Sequence, residues 1–323
     1  MNRLADISYL RLTIGYIVRT FGAVCDKPFA SCVTFTSIAT KVEEVTQGSL
    51  FVPACPLSRD EPLFEAEMAG AYAIGLEKIE EEVGRDLDIP IIYMDNWREN
   101  LGLIASFLMG DPSLKMAVFA CFGLDAKSVA PLLSRLLHSL GNPVCLLDFE
   151  NSFIQDRPLS LSYPLDAVDV QRVEAQAVEE GCSAMVISAN PSTLSRLALT
   201  GTHVDVCTGS RVLNLISKPG TPRTLQPQEE PLYGSVFDNS TRAVAYAKDP
   251  FDVLDKDSFN QLIDVVPMGR IPVRTAISMA LSAGITTASI RKAISISGDF
   301  LQEPKNGENK QDRPGESHDK DES

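Results

Sequence analysis

Apolar residues recur along the chain at two different spacings. Over residues 126–140, Val129, Leu132, Leu133, Leu136 and Leu137 fall at helical intervals, and Gly141 closes the run. Residues 115–122 before it read as a strand, and a loop at Gly123 joins the two; residues 143–148 after it begin a second strand. Strand, loop, helix and strand make a βαβ unit, which demands parallel strands and a right-handed crossover. A helix over residues 165–180 stops at Gly181 and feeds a strand at 184–188, and a further strand is expected at 204–207. Residues 275–283 and 287–294 read as two helices around Gly284, whereas the Pro- and Gln-rich stretch 218–233 reads as loop.

The earlier part of the chain is patterned in shorter pieces. Strands are expected at residues 32–36, 49–53, 72–76 and 89–94, with a helix at 64–71. Trp97, Leu101, Ile104, Ala105 and Leu108 space residues 95–109 as a helix that links this part to the next. The change of character near Pro112 divides the chain into a small α/β domain at 1–111 and a parallel-sheet α/β domain at 112–301. Residues 302–323 are polar and charged and lack the apolar surface to offset their ordering entropy, so a disordered tail is expected there. No internal repeat is visible.

Composition narrows the class without naming a function. With 323 residues, 44% hydrophobic and 22% charged, the chain is long enough for two buried cores. Its formal net charge of −14, with no local Lys/Arg cluster, argues against a nucleic-acid partner. The seven cysteines are scattered singly, which predicts buried thiols in a reducing compartment rather than disulfides or a zinc site. The apolar stretches are shorter than a membrane span, and charges spread through residues 1–24 break any signal-peptide core, so cytoplasmic residence is expected. His138, His203 and His318 stand apart without metal-ligand spacing, and no G-x-S-x-G elbow is present.

Several segments resemble, in order, those of the Mur ligases, in particular the muramyl-tripeptide synthetase branch. Residues 101–113, ending Gly-Asp-Pro-Ser, are similar to that branch's linker helix and the turn before its phosphate-loop strand. Ser162-Tyr163-Pro164 and the helix after it resemble T-T-P and its helix; Gly201-Thr-His-Val-Asp-Val206 resembles G-T-H-F-D-V; Gly269-Arg270 resembles the start of G-R-F-N. Near the start, Gln47-Gly-Ser-Leu-Phe-Val52 is similar to P-G-D-L-F-V, and residues 64–74 to the helix and strand that follow it. The likeness covers roughly residues 30–300, and its strength lies in collinear order.

The resemblance implies ATP, Mg²⁺ and a UDP-muramyl peptide as ligands, and each has a position to inspect. The phosphate loop G-T-N-G-K-[ST] is represented by Gly123-Leu-Asp-Ala-Lys127-Ser128, where Lys127 would reach phosphate and Ser128 would place its hydroxyl on Mg²⁺. Ala126 replaces the glycine before the lysine, and a Cβ there hinders close backbone approach to phosphate. Alternatively, Asp125 simply caps the following helix, with Lys127 and Ser128 in its first turn. The metal-binding Glu of E-V-S-S-H becomes Ser188 and its His becomes Ser192; the Asp and His of D-H-L-D are absent from residues 208–216. Lys41-Val42-Glu43 stand where D-S-R would hold uridine, while Ser162 and Tyr163 keep hydroxyls where T-T would contact the sugar or bond to the backbone. The chain stops soon after Gly269-Arg270, so no counterpart of the family's C-terminal ligase domain is expected.

These readings leave three functions open. One is a catalytically degraded Mur-ligase-like protein of cell-wall metabolism that acts by binding a ligand or a protein partner. Another is an active ATP-dependent amide ligase acting on a UDP-muramyl peptide, completed by a separate chain. The last is an interaction protein that shares only the fold.

Overall fold

The computed structural model describes residues 12–54, 61–78, 86–123, 125–208, 233–234, 240–244 and 270–296. It is an α/β structure with two sheets, both mostly parallel. Helix α1 (Ile14–Phe21) and strand β1 (Val24–Cys25) lead into β2 (Ser37–Ala39), β3 (Ser49–Phe51), α2 (Glu61–Met68), β4 (Ala73–Leu76) and β5 (Ile91–Tyr93). These strands form a sheet in the order β1-β5-β4-β3-β2, in which only β1 is antiparallel to its neighbour. Helix α3 (Trp97–Leu108) follows, and then the second sheet begins.

The expected βαβ unit is present as β6 (Ala117–Phe122), α4 (Ala126–Ser139) and β7 (Val144–Leu147). A short hairpin, β8 (Phe153–Ile154) and β9 (Arg157–Pro158), precedes α5 (Ala167–Glu179) and β10 (Ala184–Ala189). Strands β11 (Val206–Thr208) and β12 (Arg242–Val244) and helices α6 (Arg270–Ser282) and α7 (Thr287–Ile296) complete the described elements. The strand order is β12-β11-β6-β10-β7-β8-β9, parallel from β12 to β7. Strands β7 and β10 are buried along their whole length, as a parallel sheet covered on both faces requires.

Alternation along these strands sorts the core into two layers. Phe119, Cys121, Val144, Leu146 and Val186 pack against α4, α6 and α7; Val118, Ala120, Cys145, Leu147 and Ile187 pack on the α5 side. In the first sheet, α1 and α3 cover one face and α2 the other. Val168, in the first turn of α5, sinks into the core beneath α1 and α3, so that helix touches both halves. Among the described residues no helix is long and apolar enough to cross a membrane.

Some local expectations shift. Residues 32–36 are not a strand: a 3₁₀ turn at Pro28–Cys32 ends there, and Thr34 makes only a lone bridge to Thr13. Pairing starts at Ser37, where Ile38 and Ala39 enter the core. Helix α1, the hairpin β8–β9 and strand β12 lie where no element was expected. Most of the loop at 218–233 and all of residues 302–323 lie outside the described residues.

Candidate functional site

In an open parallel sheet, ligands gather where the strands end at their carboxyl side. Here β6, β10 and β7 end together, because Cys121 pairs with Ser188 and Leu147 pairs with Ile187. Beyond β6 the chain turns at Gly123, whose φ of 94° is a conformation that a residue with a Cβ rarely adopts. Helix α4 then starts at Ala126, so its amino end overhangs this edge.

The phosphate-loop positions form a tight turn. The Ala126 amide donates to the Gly123 carbonyl (3.2 Å), and the Ser128 and Val129 amides both donate to the Asp125 carbonyl (2.9 Å each). Asp125 precedes the helix, as the capping alternative requires, but its side chain accepts no hydrogen bond from the first turn. Ala126 is buried and belongs to the same apolar core as Phe119, Cys121 and Val129. Lys127 is exposed and Ser128 half-buried. Pro131 sits inside α4 and offers no N–H to the Lys127 carbonyl, which loosens the helix at the residue that would reach phosphate.

Ser188 is wholly buried, and its hydroxyl accepts a hydrogen bond from Asn190 Nδ2 (2.9 Å). Asn190 Oδ1 in turn accepts the amides of Ser192 (2.9 Å) and Thr193 (3.1 Å). The residues standing for Glu and His are thus knitted into a neutral turn. As a donor set it fits a hard cation poorly, because Mg²⁺ takes carboxylates, phosphates and water. No group of three or more His, Cys, Asp or Glu able to hold a metal occurs among the described residues.

Tyr163 lies at the same edge, brought there by the loop that enters α5. Its hydroxyl donates to the Asp148 carbonyl (2.9 Å) and meets Ser152 Oγ at 2.5 Å. Ser152 Oγ also accepts the Asp148 amide and donates to the Asp148 carbonyl (both 2.9 Å). Burial raises the Tyr163 hydroxyl above its ordinary pKa, the bond to Ser152 opposing it and the Asp148 charge adding to it. Ser162 beside it is exposed. Lys41 is far along the first sheet and pairs with Glu44 (3.3 Å) in the turn Val42–Glu44.

Two buried carboxylates were not singled out in the sequence. Asp148, just after β7, is 3% exposed; Oδ2 accepts the Glu150 amide (3.2 Å), and Oδ1 has no hydrogen-bond partner. Glu174, on α5, is 0% exposed and accepts the Thr202 hydroxyl (2.7 Å), which also accepts Gln171 Nε2 (3.0 Å). Desolvation pushes Glu174 up to about 8, against the opposing bonds from Thr202 and Gln171. A signal for each existed. Glu174 stands four residues after Val170 and three before Ala177, on the apolar face; Asp148 ends a strand whose preceding residues are all apolar. The thiols of Cys121 and Cys207 are raised by burial, which makes them packing groups rather than nucleophiles.

No family model matches the chain. It is 29% identical over 172 residues to the UDP-N-acetylmuramoyl-L-alanyl-D-glutamate--2,6-diaminopimelate ligase of Cytophaga hutchinsonii, covering 51% of this chain and 35% of that protein. It is 28% identical over 179 residues to the UDP-N-acetylmuramyl-tripeptide synthetase of Deinococcus radiodurans, covering 53% and 36%. The matched stretch is thus about a third of each relative's own length. MurF from Acinetobacter baumannii shares the fold with a TM-score of 0.51 over 91% of this chain and 69% of that one, at 11% identity. The chain is thus similar in sequence to Mur ligases over about half of its length, and it shares the fold of one of them over most of it.

Proposed function

We propose that the chain serves peptidoglycan-precursor metabolism in the cytoplasm by binding a ligand or partner, its ATP site having lost the parts that make an amide bond. The observation that supports this reading is Ser188. At the position where the family keeps a metal-binding carboxylate, a neutral hydroxyl is buried and bonded to Asn190. The Ala126 amide, turned onto Gly123, points the same way, because that N–H is no longer offered to an anion. Calorimetric titration with Mg·ATP tests it, using Lys127→Ala as the control. Absence of binding at millimolar nucleotide agrees with the reading, and micromolar affinity abolished in Lys127→Ala overturns it. Titration with a UDP-muramyl dipeptide, and its loss on Tyr163→Phe or Ser162→Ala, asks whether the substrate side survives.

A second reading is an ATP-dependent amide ligase completed by another chain. What favours it is the left-handed Gly123 turn, with Lys127 exposed in the first turn of α4. Amide formation from ATP, a UDP-muramyl dipeptide and an amino acid, on addition of a second protein, separates it from the first.

A further inference from the structure

Helix α2 carries apolar residues on two sides. Leu63 and Ala66 turn inward and join the core on one face of the first sheet, as a helix packed on a sheet requires. Phe64 and Met68, one turn apart on the outer side, are 39% and 85% exposed. Tyr72, past the turn at Gly70, is exposed as well. The solvent side of a surface helix is ordinarily polar, and a bare methionine beside a bare phenylalanine is the composition of an adaptable protein-binding surface. The residues around this pair are acidic. Glu61 and Glu65 lie on the same outer side and are exposed, and α2 holds no lysine or arginine. The 3₁₀ turn Val42–Glu44, which packs against the same core through Val42, adds exposed Glu43, while Lys41 beside it is already paired with Glu44 (3.3 Å).

That acidic rim decides the occupant. An isologous second copy would set α2 against α2, carboxylates facing carboxylates with no base between them, and an anionic lipid surface meets the same repulsion. Residues 302–323 have no apolar side chain except prolines to lay over Phe64 and Met68. We propose that the outer side of α2 is a docking surface for a basic amphipathic helix of a partner protein. Its apolar side chains cover Phe64 and Met68, and its lysines or arginines meet Glu61 and Glu65. A helix is the form whose ridges match residues spaced three and four apart. The surface belongs to the first sheet and the phosphate loop to the second, so the proposal goes beyond the binding reading and does not depend on whether nucleotide binds.

The experiment follows the fluorescence anisotropy of a labelled leucine–lysine amphipathic helical peptide titrated with the full chain, with the leucine–glutamate counterpart as control. The lysine peptide is expected to bind and the glutamate peptide is not. Because the chain is acidic as a whole, the deciding comparison leaves its charge unchanged. Phe64→Ser and Met68→Ser together should weaken the lysine peptide by about tenfold or more. Glu65→Gln should weaken it by about threefold. Amide hydrogen exchange over Glu61–Met68 should slow when the lysine peptide binds the wild type and should not slow in the double variant. Phe64 is partly packed, so should the double variant melt below the wild type, Met68→Ser alone, at a site mostly in solvent, takes its place. Equal affinity in the wild type and the folded variant, no binding of the lysine peptide, or equal binding of both peptides overturns the proposal. Self-association of the wild type in sedimentation, lost in Met68→Ser, overturns it in favour of a second copy.

Discussion

Glu174 shows how a single side chain can carry a pH dependence for the whole chain. Its carboxyl is wholly buried and holds its proton up to about 8, against an ordinary value of 4.5. Between those values the folded form binds a proton that the unfolded chain has released, so stability falls as pH rises through that window. Glu174→Gln removes the titration, and its amide can donate to the unpartnered Gln171 Oε1. Urea unfolding from about pH 5 to about pH 9 should therefore slope downward for the wild type and run nearly flat for the variant. At the alkaline end the variant should be more stable by on the order of 2–4 kcal/mol; equal slopes would sink the assignment. Neither this residue nor Asp148 stands out in the sequence by type. By type alone a glutamate on a helix and an aspartate after a strand look like solvent-facing residues; their places on an apolar face and at the end of an apolar strand point the other way, and the packing around them makes them costly.

At the scale of elements, α3 is fixed at its start by hydrogen bonds and in its middle by close backbone approach. At its start, the Glu77 carboxylate accepts the amides of Asn96 and Trp97, and the indole donates to the Leu76 carbonyl (2.9 Å). In its middle, a Cβ on Gly102 would lie 1.9 Å from the Thr200 carbonyl, and one on Gly201 would lie 2.5 Å from the Gly102 carbonyl. Two backbones meet there, and neither yields as a side chain would. Gly102→Ala should destabilise by about 1–3 kcal/mol or more, read as a lower urea midpoint. Trp97 is the only tryptophan and is buried at the head of α3, so a red shift of its emission should accompany the change. An unchanged midpoint and emission would show that the contact relaxes freely. The helix itself was legible from its spacing; its glycine was not, since the partner backbone lies far along the chain.

For the molecule as a whole, α5 is what ties the two sheets together. Its amino-terminal Asp166 accepts the Asp169 amide through one oxygen and the Thr40 hydroxyl (2.9 Å) through the other. Arg172 donates to Glu44 (3.0 Å) and to the Ile38 carbonyl (2.7 Å). A double-mutant cycle on Arg172→Ala and Glu44→Ala should return a coupling of about 0.5–1 kcal/mol. The double variant should also unfold with a broader transition, as the halves part company; additive effects would show that the pair contributes nothing. By itself the sequence determined the βαβ unit, the parallel sheet, the linking helix and the order of the family-like segments. All of these follow from local periodicity and from turns that interrupt it. The strands β8, β9 and β12 escaped it, because two or three residues carry too little period to read and pairing decides them; α1, eight residues long, escaped it although Ile14 and Ile17 lie at helical spacing in the core. The phosphate-loop positions Gly123, Lys127 and Ser128 were legible as spacing, but spacing does not say where an amide or a methyl points. Only the tertiary structure decided that the Ala126 methyl faces the core, that Ser188 is tied to Asn190, and that a carboxylate with an unbonded oxygen stands just past the end of the next strand. Burial and hydrogen bonding belong to the neighbours that folding brings, and those neighbours are distant in the chain.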